Sequence, residues 1–187
     1  EGLLFLRFDS AGLIAKETRY LDSFTPMAQL GAFGAHERPP LPSLPPSPGI
    51  VTTGKRLRND ASGALLQALE AMRSDDRSSF LSAFTPDAII EERMWFMPRS
   101  LAPPAWWAEV KSVLPDLELA SVETSSSRDI AFAEFVLSGT LSRPLGPARA
   151  ETRIVVHRGL IARLRGGRIA HLTAFMNGRE WTVPAAR

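Results

Sequence analysis

The sequence contains no cysteine. Disulfides, thiolate metal sites and cysteine nucleophiles are therefore excluded, and the chain is compatible with a reducing cytoplasm, its expected location. No apolar run approaches the ~18 residues that a membrane-spanning helix requires, so a membrane is not an expected partner. Residues 1–8 lack a basic start and a long apolar stretch and do not read as a signal peptide; the missing initiator methionine points to a processed or trimmed chain. There is no nucleophile elbow, phosphate-binding loop or dinucleotide glycine motif. His157 and His171 stand far apart without acidic ligands at suitable spacing. Neither a metal nor a cofactor is expected.

Net charge is also small, since 22 Lys and Arg against 20 Asp and Glu leave a formal +2. Arg143, Arg149, Arg153, Arg158, Arg163, Arg165 and Arg168 nevertheless gather in one stretch. An anionic partner could use such a stretch, but aromatic residues are not interleaved as base-stacking platforms would require. A solvated or inter-subunit sheet face paired with glutamates is the expectation, and nucleic acid is not an expected partner.

The most informative feature present is a repeat. The strand-turn-strand pattern of residues 8–22, with Gly12-Leu13-Ile14-Ala15 at its centre, recurs over residues 164–177 around Gly167-Arg168-Ile169-Ala170. Well over a hundred residues precede the second appearance and almost none the first. The chain is therefore expected to begin in the middle of a first unit: residues 1–35 are its final strand pair and tail, 36–58 a linker, and 59–183 a complete second unit. The linker holds Pro39-Pro40-Leu41-Pro42-Ser43-Leu44-Pro45-Pro46-Ser47-Pro48, which has too few backbone donors for helix or central strand and suits an extended spacer.

In the first unit, residues 3–8 and 13–21 read as a hairpin, followed by a short helical cap at 25–31. A two-stranded ribbon is marginal alone, so it must pack on the missing half of its own unit, on a second chain, or on the sheet of the complete unit. In the second unit, Asn59 or Asp60 caps a helix with Leu65, Leu69 and Met72 on one face, and Phe80, Leu81 and Phe84 continue the pattern in a second helix broken by Thr85-Pro86-Asp87. A strand at 88–96 precedes a helix opened by Pro103-Pro104 and closed by Pro115-Asp116. Strands follow at 117–123 leading into 130–138, then at 151–164 and 168–176, joined by Ser-rich, Pro/Gly and Gly-Gly turns. Helices first and sheet last predict an α+β cone, with helices packed on a strongly curved antiparallel sheet and a pocket between them.

Phe84-Thr85-Pro86-Asp87-Ala88, Leu114-Pro115-Asp116-Leu117 and Ser138-Gly139-Thr140, with this order of elements, resemble the SnoaL-like polyketide cyclase family, whose wider superfamily includes ketosteroid isomerase and nuclear transport factor relatives. Residues 12–22 with Gln29-Leu30-Gly31 look like the end of another such domain. The resemblance implies a hydrophobic small-molecule ligand and either a cofactor-free acid/base cyclase or isomerase, or a non-catalytic binding, dimerisation or regulatory module. It also implies a sheet face used for a homodimer or an intramolecular pseudo-dimer. Position by position, Ala174 stands where the cyclases carry an acid/base aspartate, and an alanine cannot carry a proton. Glu92 aligns with the isomerase base, while Ala68 and Leu160 replace the two oxyanion-stabilising groups. The resemblance turns Leu160, Leu164, Leu172, Ala174 and Met176 toward the helices, and His157, His171, Thr173 and Phe175 away from them.

Glu92 is the foremost catalytic candidate, because it shares a strand face with Ile90, Met94 and Phe96 and desolvation would raise its pKa. The blander and preferred explanation is a pocket-rim glutamate paired with Arg93, Arg99 or another arginine. Glu134, among Ile130, Phe132 and Val136, is a second candidate; cross-strand pairing to Arg153 or Arg158 is its blander explanation. Met94, Phe96, Trp106, Trp107, Leu160, Leu172, Ala174 and Met176 are the expected ligand-binding residues. Of the adjacent tryptophans, one ring belongs to the core and the other to a pocket wall or an interface.

Overall fold

A computed structural model describes residues 2–21, 60–93, 99–145 and 148–176. Strands β1 (Gly2–Phe8) and β2 (Ile14–Leu21) form an antiparallel hairpin. Its turn is held by the Asp9 carboxylate, which accepts from the backbone N–H of Ala11 and of Leu13, both at 2.9 Å. Gly12 takes a φ of 79°, which glycine adopts without steric cost.

Three helices come next. In α1 (Asp60–Arg73), Leu65, Ala68, Leu69 and Met72 recur at helical spacing and are all buried. The short α2 (Arg77–Ser82) is capped by Asp76, whose carboxylate accepts from the Ser79 backbone at 3.0 Å and from the Ser78 and Ser79 hydroxyls. These bonds lower the Asp76 pKa to about 2. A depressed carboxylate pKa means that the cap is fully formed above about pH 4 and lost as pH falls toward 2. Asp76→Ala should therefore destabilise the protein at pH 7, and denaturant unfolding should show wild type converging on the variant between pH 4 and 2. The last helix, α3 (Pro103–Val113), opens on two prolines and buries Trp106, Trp107, Val110 and Val113.

The six remaining strands make one sheet in the order β4-β3-β8-β7-β6-β5. They are β3 (Phe84–Arg93), β4 (Arg99–Leu101), β5 (Glu118–Ser127), β6 (Ile130–Thr140), β7 (Arg153–Arg165) and β8 (Arg168–Met176). All neighbours are antiparallel except β3 and β8, which run parallel. These two lie far apart in sequence, so no tight turn imposes the antiparallel pairing found elsewhere. Two boundaries differ from the sequence expectation. The Thr85-Pro86-Asp87 break lies inside β3, in the gap where its register against β8 shifts between Phe84 and Ile89, a place where a proline without N–H is tolerated. The serine run 125–127 is strand rather than turn, because β5 pairs with β6 to its end and the reversal falls at Arg128-Asp129, with Arg128 at φ 54°.

One sheet face and the helices enclose the main core, which includes Leu160, Leu172 and Ala174, with Leu164 packed against it. The expected facing is thus observed for Leu160, Leu164, Leu172 and Ala174, while Met176 is buried without belonging to that core. Thr173 and Phe175 point the other way, His157 is exposed, and His171 sits 3.3 Å from Glu91 on that side. The β1-β2 hairpin covers this second face: Tyr20 and Phe175, each 1% exposed, cluster with Ile130 and Phe132, and Phe5 and Ile161 pack against them. Of the three supports open to the ribbon, packing on the six-stranded sheet is present in the structure. The opposite side of the hairpin leaves Leu4, Leu6, Phe8 and Ile14 exposed.

Candidate functional site

The pocket lies between α1, α2 and α3 and the helix-facing side of the sheet. Leu65, Leu69, Met72, Phe80, Trp106, Phe135, Leu137, Leu160 and Leu172 wall it, with Ala68 and a single charged group, Arg158. Its space is about 10 Å³, room for roughly one water molecule. Arg158 is 6% exposed. It comes from β7, where Ile154, Val156, Arg158, Leu160 and Ala162 all take the inward positions of the pleat and all are buried.

A buried guanidinium requires an anion, and Glu92 supplies it. Glu92 Oε1 accepts from Arg158 Nη2 at 3.3 Å and from Trp106 Nε1 at 2.9 Å. Oε2 accepts from Arg99 Nε and Nη2 at 2.7 and 2.5 Å, a two-pronged contact. Arg99 also bonds Glu109 of α3, which lies 3.4 Å from Arg143. The sheet explains the convergence: Glu92 is paired across β4 with Arg99 and across β8 with Ala174. Ala174 has only a methyl group, which leaves the path over β8 open between β7 and Glu92.

Glu92 is 2% exposed, so the desolvated carboxyl expected from the sequence is present. The expected upward pKa shift is not. Burial alone would push the carboxyl up, but the charges of Arg158 and Arg99, with the bonds from Arg99 and Trp106, outweigh it and hold the group below its ordinary value. A lowered carboxylate pKa stabilises the fold above the unfolded value of about 4.3, and that contribution is lost as pH falls through the folded value. Unfolding free energy should therefore drop on acidification below about pH 4 in wild type, and much less in a Glu92→Leu/Arg158→Met double variant, as denaturant titrations at stepped pH would show.

Glu134 is also buried, at 5% exposure, but on the opposite face of the sheet, under the hairpin. Its partners are Tyr20 Oη at 3.1 Å and Arg7 Nη2 at 3.4 Å, not Arg153 or Arg158. The register is the reason: Glu134 lies opposite Gly159, whereas Arg158 is opposite Phe135 and points inward, and Arg153 pairs with Glu118 and Asp116. Because Tyr20 donates to a buried carboxylate, Tyr20→Phe should cost about 1.5–3 kcal/mol in chemical unfolding. A loss within experimental error would show that the hydroxyl does not hold Glu134.

The described residues contain no group of three histidine, aspartate or glutamate side chains able to hold a metal, and no helix long and apolar enough to cross a membrane. No protein-family model and no curated protein matches the chain. Solved structures do. Two described as putative polyketide cyclases, from Xanthomonas campestris and Pseudomonas putida, align at 17% and 19% identity, each with a TM-score of 0.57. The first match covers 68% of this chain and 97% of that protein, the second 71% and 100%. A hypothetical protein from Catenulispora acidiphila with a ketosteroid isomerase-like fold aligns at 12% identity and TM-score 0.52, over 63% of this chain and 88% of its own.

The chain has the SnoaL-like, ketosteroid isomerase-like fold. Within this SnoaL-like fold, Trp106, Leu160 and Leu172, three of the residues named from the sequence for ligand binding, line the pocket. Ala174 and Met176 are buried outside the lining, and Trp107 turns toward Phe80 and Lys111. Met94 and Phe96 lie outside the described residues. Both tryptophan rings are buried, because Phe80 wedges between them, stacked on Trp106 at 5.7 Å and tilted against Trp107 at 4.9 Å. Sequence reasoning missed Arg158, although its spacing of two from Leu160 signalled an inward arginine.

Proposed function

We propose that residues 59–183 form a SnoaL-like unit that binds a mid-sized apolar small molecule bearing an oxygen acceptor, with Arg158 as the polar anchor and Glu92 as its fixed counter-ion. The carrying observation is the lining itself: apolar walls with one charged group, whose partner carboxylate is occupied by Arg99 and Trp106. A cyclase or isomerase needs a proton carrier at the substrate, and the one charged side chain among those walls is Arg158, a guanidinium, which is a donor without acceptor capacity. A binding module is therefore the reading the geometry favours over the acid/base enzyme. Ring-sized ligands need several hundred Å³, so α1 and α3 must part around Met72 and Trp106 to admit one.

In the same proposal, residues 1–35 are the end of a first such unit and 36–58 a spacer. Support comes from the equivalence of the two hairpins and from solved relatives that are matched over nearly their whole length while about 30% of this chain is left over.

A thermal-shift screen of flat, ketone-bearing aromatic compounds tests the binding reading. A ligand at 100 times its Kd should add about 2.7 kcal/mol and raise Tm by several degrees. Leu172→Phe, which fills the pocket, should abolish the rise, and Arg158→Met should weaken it preferentially for ketones over hydrocarbons. If no compound stabilises wild type, or if the filled variant responds equally, the cavity is ordinary core.

A further inference from the structure

The hairpin and strands β7-β8 are equivalent in sequence, and the structure extends the equivalence to geometry. Both ribbons carry a register irregularity at the same step, Arg7/Phe8 in one and Arg163/Leu164 in the other. Both turn on a glycine with the same backbone angle, Gly12 at φ 79° and Gly167 at φ 78°. Phe5 lies opposite Thr18 as Ile161 lies opposite Thr173. This alignment matches Tyr20 to Phe175 and Arg7 to Arg163. Tyr20 and Phe175 belong to one cluster, against which Phe5 and Ile161 both pack. Like elements therefore meet through like faces, which is the property of an isologous contact between two copies of a unit.

We propose that the hairpin acts as a built-in substitute for a second copy, occupying in cis a sheet face that would otherwise pair two chains. The side chains explain why the cis contact wins. The buried Glu134 carboxylate receives Tyr20 Oη and Arg7 from the hairpin, and Arg7 also reaches Glu123 at 2.6 Å. A second copy would present Arg163 where Arg7 stands, but Phe175 where Tyr20 stands. The cation would be replaced and the hydroxyl would not. Glu134 would then be buried with one donor fewer, a penalty that disfavours the trans contact. The inference rests on the proposed repeat organisation, not on ligand binding, and survives if the pocket proves to be core.

The absence of cysteine makes a face-specific test direct. Ile161→Cys is placed in the full chain, alone and together with Phe5→Asp/Tyr20→Asp, and treated with a bismaleimide while mass is followed by light scattering. The chain with an intact hairpin should remain uncross-linked. The chain with the unseated hairpin should dimerise and cross-link through residue 161, and adding Phe175→Tyr should tighten that dimer about tenfold or more by restoring the hydroxyl to Glu134. If the double aspartate impairs folding by circular dichroism, Arg7→Ala/Tyr20→Phe loosens the hairpin more gently and is read by the same cross-link. A folded, unseated variant that stays monomeric would overturn the proposal. So would equal cross-linking with the hairpin in place, or a dimer indifferent to Phe175→Tyr.

Discussion

Glu92→Gln should be among the most destabilising single substitutions in the protein, with a loss of about 3–5 kcal/mol. The amide keeps the shape of the carboxyl but leaves Arg158 buried without a counter-ion, while Arg99, about a third exposed, retains Glu109 and water. Against a total stability of roughly 5–15 kcal/mol for a domain, that loss is a large fraction of the whole and should lower the unfolding midpoint clearly. The effect belongs to the pair. Replacing both ions with apolar groups, Glu92→Leu/Arg158→Met, should recover much of the loss, because it removes the stranded charge along with its partner. A double-mutant cycle by denaturant unfolding checks both expectations. A nearly neutral Glu92→Gln would mean that the carboxylate does not anchor Arg158.

Phe80→Ala should cost a comparable amount, about 3–5 kcal/mol, through cavity formation. Phe80 is 1% exposed and is the ring through which α2, α3 and β3 meet: it touches Trp106, Trp107 and Phe84 with centroids 4.9–5.7 Å apart. Its removal also opens a pocket wall, so the variant should gain room for ligand while losing stability. Unfolding free energies with and without a ligand from the screen would separate the two effects. A cost near 1 kcal/mol would show that the aromatic cluster closes over the gap.

The fold was largely legible because its patterns are strong. The spacing of Leu65, Leu69 and Met72, the double proline at 103–104 and the alternation on β8 each specify one local structure. The facing of β7 and β8 came from the family resemblance, and the buried positions of Leu160, Leu172 and Ala174 agree with it, since a slip of one residue would have turned them out of the core. The strand content of the serine run and of the segment around Pro86 was hidden, since both contradict local propensity and are held by pairing with β6 and β8. At the site, Glu92 was visible as a carboxylate on an apolar stripe. Pairing with Arg99 was among the alternatives read from the sequence, but its ionisation state also depends on Arg158, 66 residues away, which the sequence did not place beside it. Glu134 was misassigned a partner for a similar reason: Tyr20 and Arg7 reach it only through the docking of a hairpin more than a hundred residues upstream.

The proposed role of Glu92 is an anchor for Arg158, ionised at neutral pH, rather than a proton carrier. A carboxyl-carbon NMR titration of Glu92, assigned by its loss in Glu92→Leu/Arg158→Met, measures this directly. An apparent pKa below the ordinary glutamate value of about 4.3 is the predicted result. A value displaced upward toward neutrality would contradict it and return Glu92 to the role of general acid/base.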